Sequence, residues 1–482
     1  MGRFNGLGSW VFAACSMALA GCGAEDAPGC PEEHVVHGVC AGVPPLADGE
    51  AAACSTDARC ADAVDVSDGE GLQSAARAAA AGACIRLAPG DYGDVELPGG
   101  VSVVGGAADR VAVRSLTLGA GSGALACGVT VGAGGVKVDG AVDARIEAVR
   151  VRGSDGVGVH IARGSSVSLV ATEVVGSGSH GVVAVELEAS DAIRLERTVI
   201  EGSTEAGIWM RCLAGCDCAA EPAGDVRIQI GASIVQENRI AGVALEGVAA
   251  SLDGVRVAGT MPSTTFRYGE FGGGISISSC ARAAATRVDV ERNASFGVLV
   301  DGAKARLGGP GEGEGVNVRE NVMGVWIQNV SGAGFLDPAN VMVENATIAD
   351  NRGVGVGVSG TSSGIVICRS RITGTRMEPL PVGLGGVDDV GDGIHWLDAS
   401  SVTVTEAALH DNARASILID GSATGRIAGL TLSGADADKG IIQQNFPAED
   451  GRQPTVEDAP AIVKKAEPEF TVAQPPGFAI DL

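Results

Sequence analysis

Along most of this chain apolar residues recur at every second position, in short runs that each open on a glycine behind a polar corner. The runs read Gly156-Val-Gly-Val, Gly181-Val-Val-Ala, Gly207-Ile-Trp-Met, Gly242-Val-Ala-Leu, Gly274-Ile-Ser-Ile, Gly297-Val-Leu-Val, Gly324-Val-Trp-Ile, Gly353-Val-Gly-Val and Gly393-Ile-His-Trp. A period of two predicts strands. Recurrence at roughly 22 to 40 residues predicts stacked units, none of which can bury its apolar side alone. If the residue after each opening glycine points inward, the next points outward. This gives an outward column of Val183, Trp209, Ala244, Ser276, Leu299, Trp326, Gly355 and His395.

The corners before these strands carry Asn238, Asn293, Asn321, Asn351 and Asn412, with Ser177 and Ser203 in earlier copies. Asn tolerates the left-handed backbone of a sharp corner, and stacked Asn side chains can form a hydrogen-bonded ladder. Upstream, the Ala-rich stretch Leu72 to Ala83 has the best helix propensity in the chain and would cover the open end of the sheet. It leads into the strand Cys84-Ile-Arg-Leu and the turn Ala88-Pro-Gly-Asp-Tyr92-Gly.

This helix, strand, turn and serial Asn-x-x-x-Gly-Val pattern resembles the pectate-lyase-like superfamily over about residues 70 to 435. The resemblance implies an all-β, single-stranded right-handed parallel β-helix (solenoid) with an N-terminal capping helix. Some 13 to 15 coils at ~4.8 Å would make a column on the order of 65 Å long. The activity is not implied, because such rungs carry lyases, hydrolases, adhesins and non-catalytic surface proteins.

The ends read differently. Arg3 and the apolar run Trp10 to Leu19 look like an export signal, too short to span a bilayer. It closes on Leu19-Ala20-Gly21-Cys22, which resembles the bacterial lipobox. That resemblance implies lipidation of Cys22, and Gly23 after it leans towards the outer membrane of a Gram-negative cell envelope. The expected organisation is a lipoprotein signal peptide at 1–21, a Cys-containing stalk at 22–68, the β-helix at 69–445 and a Pro-rich cap or tail at 446–482. Prolines are expected to keep that last segment out of the rungs.

Export favours disulfides. Apart from Cys15 and Cys22, eleven of the 13 cysteines remain. Expected pairs are Cys30 with Cys40, Cys54 with Cys60 or Cys84, and one of Cys212, Cys216 and Cys218 with Cys280; an odd count leaves one thiol over.

Lys and Arg total 34 against 59 Asp and Glu, a formal charge of −25, with no basic stripe. This excludes nucleic acid as the expected partner. It also repels polyanionic polysaccharides unless a cation bridges, and it offers oxygen ligands for Ca²⁺.

Candidate chemistry lies near two similar insertions, Gly259 to Gly273 and Gly374 to Asp392, which would wall a groove on one flank. Its floor would hold Trp326 and His395 two rungs apart as binding residues, beside Arg376, Asp388, Asp389 and Asp392. Trp offers a sugar a stacking platform; the Asp cluster suits either Ca²⁺ or an acid and base pair. His160 and His180 stand isolated among Gly and Ser. Of the polygalacturonase-like motifs only Asp388-Asp389 is present, and the pectate-lyase runs are absent, so no catalytic residue carries over. The expectation is a lipid-anchored surface protein with a non-catalytic binding or structural role towards envelope or extracellular glycans or proteins. The alternative is a polysaccharide lyase or glycoside hydrolase, with Arg376 or His395 as base or charge stabiliser.

Overall fold

A computed structural model describes residues 30–42, 54, 60–188, 191–212, 227–263, 271–311, 313–330, 339–380, 389–397, 400–445 and 453–464. Cys22, Cys216, Cys218 and Asp388 lie outside this set.

The chain winds into a right-handed parallel β-helix with three strands per coil. Sheet 1 stacks 16 strands, from Val64–Val66 to Thr455–Glu457, all joined to the next in parallel register. Sheet 2 holds three- and four-residue strands, from Arg150–Arg152 to Thr431–Ser433, and sheet 3 the glycine-led strands, from Val159–Ile161 to Ile462–Lys464. Near the N-terminus Thr130–Val138 is long enough to pair with strands of both sheets, so the corner between sheets 2 and 3 sharpens only in later coils. The column has slightly more coils than spacing alone suggests, because Val64–Val66 and Thr455–Glu457 add rungs that lack the glycine phrase.

One apolar core runs the length of the column, built almost wholly from Val, Ile, Leu and Ala. Its N-terminal end is closed by helix α1 (Gly69–Ala78), which buries Leu72 and Ala76. Asp68 caps α1 by accepting from Gly71 N–H at 2.7 Å, so the helix starts before the Ala-rich run. It also stops earlier than propensity suggests: Ala79 is extended, because the chain must turn there to enter Cys84–Leu87. At the other end Thr455–Glu457 and Ile462–Lys464 do join sheets 1 and 3, contrary to expectation. Pro454 and Pro460 sit just outside these strands, where no ladder donor is lost.

The Asn corners differ from expectation in an informative way. The left-handed residue is the one before each Asn: Glu237, Arg292, Glu320, Asp350 and Asp411 all have φ between 54° and 59°. The buried Asn acts instead through its side chain. Asn293 and Asn321 backbone N–H groups each donate to the Oδ1 of the next ladder residue at 3.0 Å, and Asn321 Nδ2 donates back to Val290 O at 3.2 Å. These bonds satisfy corner groups that no sheet can reach. The ladder ends on Asp436, which accepts from Asn412 at 2.6 Å and whose burial raises its pKa despite that bond.

Register also corrects two opening glycines. Val182 pairs with Val159, and Val356 with Val325 and Ile394, so the openers are Gly158 and Gly355 rather than Gly156 and Gly353. A Cβ on Gly158 would lie 2.7 Å from Gly181 O and one on Gly355 2.5 Å from Gly393 O, whereas Gly156 faces open space. The alternation Gly-Val-Gly-Val hides this two-residue shift. Gly357, not Gly355, therefore occupies the outward column between Trp326 and His395.

Disulfides join Cys30 to Cys40, Cys54 to Cys127 and Cys60 to Cys84; Cys212 and Cys280 are also disulfide-bonded, and Cys368 is a free, buried thiol. The Cys54–Cys127 pair departs from short-range expectation because coil stacking brings residues three rungs apart in sequence onto one outer face of sheet 1.

Candidate functional site

Every strand of sheet 3 presents one side to the core and the other outward, and long segments leave both of its edges. Gly259 to Gly272 and Gly374 to Gly391 precede sheet 3 strands, while 213–226 and 329–340 follow them. The outward column reads His160, Val183, Trp209, Ala244, Ser276, Leu299, Trp326, Gly357, His395 and Leu418. Parity thus places Trp326 and His395 on the outward side, as read. It does not leave them open.

Trp326 is fully buried in a second apolar cluster with Phe271, Phe296, Leu299, Met323, Leu380 and Val390. Phe271, Leu380 and Val390 come from the insertions, so the supposed groove floor is filled by the walls meant to flank it. Its indole lies over the rung of Gly357, where a Cβ would come within 2.2 Å of the ring, and its Nε1–H donates to Ser359 Oγ at 3.2 Å. The His395 ring is 6.5 Å away, centre to centre.

Asp392 and His395 are both wholly buried. Asp392 accepts from Arg414 Nε at 2.9 Å and Nη2 at 2.5 Å. His395 Nδ1 is 2.7 Å from Asp392 Oδ2 but off the line of a good hydrogen bond, and its Nε2 has no partner among the described residues. Burial pushes the Asp392 carboxyl up, yet Arg414 and His395 outweigh it and hold the pKa below its ordinary value. Asp389 is exposed and contributes only its carbonyl to Arg414, while Arg376 is exposed further back in the insertion. Asp389 and Asp392 do not converge on open space, Asp388 lies outside the described residues, and among the described residues no group of three or more His, Cys, Asp or Glu is placed to hold a metal ion.

A different cluster lies around Trp209, four rungs from Trp326 towards the N-terminus on the same face. Trp209 is half-buried over Ala206, Ala241 and Ala244, and its Nε1–H donates to Glu246 Oε1 at 2.9 Å. Arg211 approaches the same carboxylate at 3.4 Å. His180, one rung earlier, is tilted 42° against the Trp209 ring at 4.9 Å. Its Nδ1 accepts from Ala206 N–H at 3.2 Å and its Nε2 meets Glu205 Oε2 at 2.8 Å. Burial lowers the His180 pKa, against the opposing pull of Glu205, so the ring is neutral near pH 7 with its proton on Nε2. Sequence reading takes His180 as isolated because its partners lie 25 and more residues away; the usable signal was the shared column position of Trp209 and the long gap that follows it.

No family model and no curated protein sequence matches the chain. Among solved structures it is similar to the catalytic unit of a GH87 α-1,3-glucanase from Streptomyces thermodiastaticus, at 12% identity over 84% of this chain and 69% of that one, TM-score 0.45. It is also similar to the Azotobacter vinelandii mannuronan C-5 epimerase AlgE4 A-module, at 13% identity over 80% and 95%, TM-score 0.38. The periplasmic alginate epimerase AlgG gives 10% identity over 83% and 84%, TM-score 0.40. At these identities the likeness is one of winding, and the chain itself is a right-handed parallel β-helix.

Proposed function

We propose that this is a lipid-anchored cell-envelope β-helix that binds neutral glycans, without turnover, on the outer face of sheet 3 at Trp209. The observation that carries the reading is the half-exposed Trp209 indole, fixed by its bond to Glu246 and flanked by His180, Glu205 and Arg211. An indole face suits the apolar face of a pyranose, and the partly exposed Glu205 carboxylate at its rim suits sugar hydroxyls. The same carboxylate and the overall charge of −25 oppose uronates. The anchor rests on Leu19-Ala20-Gly21-Cys22.

Titration calorimetry of protein lacking residues 1–22 against neutral oligosaccharides and oligouronates tests the reading. Neutral ligands should bind, and Trp209→Ala should weaken them about five- to tenfold, the worth of one stacking contact. Equal affinity in Trp209→Ala, a preference for uronates, or cleavage of the bound glycan would overturn it.

A further inference from the structure

Within the segment expected to be a stalk, residues 30–42 pack on the column. Cys30 to Gly42 forms a disulfide-closed hairpin, Val35–Val36 paired with Val39–Cys40, and lies on the outer face of sheet 2. The outward column there reads Arg150, Glu173, Val199, Ile234, Arg256, Asp289, Asn317, Thr347 and Arg371. Its one pair of large apolar neighbours, Val199 and Ile234, is what the hairpin covers with Val36 and Ala41. Gly42 N–H donates to Ala232 O at 2.7 Å, and at the tip His37 Nε2 meets Asp289 at 3.0 Å and Asn317 Nδ2 at 3.1 Å.

We infer that the sheet 2 flank faces the bilayer, so that the column lies along the membrane with sheet 3 turned away from it. This rests on the lipid-anchor reading above. Eight chain steps separate Cys22 from Cys30, a reach of at most ~29 Å, while 16 stacked strands make a column about 70 Å long. An anchor so short, leaving from a point near the middle of one flank, holds that flank close. Charge on this flank is mixed: exposed Arg152, Arg292, Arg319 and Arg371 stand beside Glu201, Asp289 and the hairpin's exposed Glu32 and Glu33, and Arg152 is paired with Glu173 and Arg292 and Arg319 with Glu291. In a protein of net charge −25 such a mixed side is repelled by anionic headgroups less than a uniformly acidic one.

The test is neutron reflectometry of the lipidated full chain on a supported phosphatidylcholine bilayer containing phosphatidylglycerol. The expected protein layer is roughly 30 Å thick, less than half the column length. Val36→Asp, which unseats the hairpin while far-ultraviolet dichroism reports an intact column, should at least thicken it by half. A wild-type layer near 70 Å, or an unchanged layer in Val36→Asp, would overturn the orientation. Mass spectrometry showing no acyl group on Cys22 would instead overturn the anchor on which it rests.

Discussion

Two stretches of one sheet face carry the same elements and end in opposite states. Around Trp326 an outward indole, a histidine and a carboxylate are sealed beneath insertions; around Trp209 the indole and Glu205 remain half-open above a buried His180 and Glu246. Both tryptophans occupy the same register column, so strand parity cannot distinguish them. What differs is the supply of apolar side chains from the edges. Phe271, Leu380 and Val390 reach over Trp326, and Gly357 leaves the space its ring needs, whereas Trp209 rests on alanines. A face of a β-helix becomes a surface or a second core according to what its insertions bring.

The sharpest way to break that contrast is to remove each indole. Trp326→Ala should cost about 3–5 kcal/mol in denaturant unfolding, as for other large buried rings, while Trp209→Ala should cost about 1 kcal/mol and act on glycan affinity instead. Equal losses would mean that the two regions are packed alike. Asp392→Asn should come next, destabilising by about 3 kcal/mol because it strands the buried Arg414 guanidinium; Glu205→Gln at the open site should change stability by less than about 1 kcal/mol. Thermal unfolding of the two variants side by side checks this.

The corrected register gives a smaller effect with a clean control. Gly158→Ala should lose about 1–3 kcal/mol through overpacking against Gly181 O, and Gly156→Ala should be neutral within about 0.5 kcal/mol. The reverse ranking would restore the register inferred from the phrase alone.

Acid should separate the two regions most subtly. Folded His180 has a pKa below 6.5, so the unfolded chain binds its proton first, and the stability it contributes, full above pH 6.5, declines as pH falls below that value. The Asp392 carboxyl is lowered from 3.8, so its contribution is full above that pH and disappears only as pH falls further, through the folded value. Thermal unfolding between pH 8 and pH 3 should show the first dependence vanish in His180→Gln and the second in Asp392→Asn.

Much of the winding was legible because it is written locally. Alternation, opening glycines and corner asparagines each act within a coil or on its immediate neighbour, so Gly181, Gly207, Gly242, Gly274, Gly297 and Gly324 could be placed from the phrase alone. The phrase failed at Gly156 and Gly353, where a second glycine two residues on keeps the same parity. The lengths of the gaps after Gly207 and Gly324 also mark 213–226 and 329–340 as inserted sequence. The site was less legible: His180 meets Glu205 and Trp209 only because successive coils stack, and the hairpin at Cys30 reaches Asp289 across a sequence distance no local rule spans.

By itself the sequence determined the repeat, the strand that faces the core, and the side on which Trp209, Trp326 and His395 emerge, because a two-residue period and a glycine that tolerates no Cβ are properties of single coils. Only the tertiary structure decided which of those outward residues meets water. That depends on side chains delivered from insertions and from the N-terminal hairpin, whose landing places are set by packing between coils and not by any pattern within one.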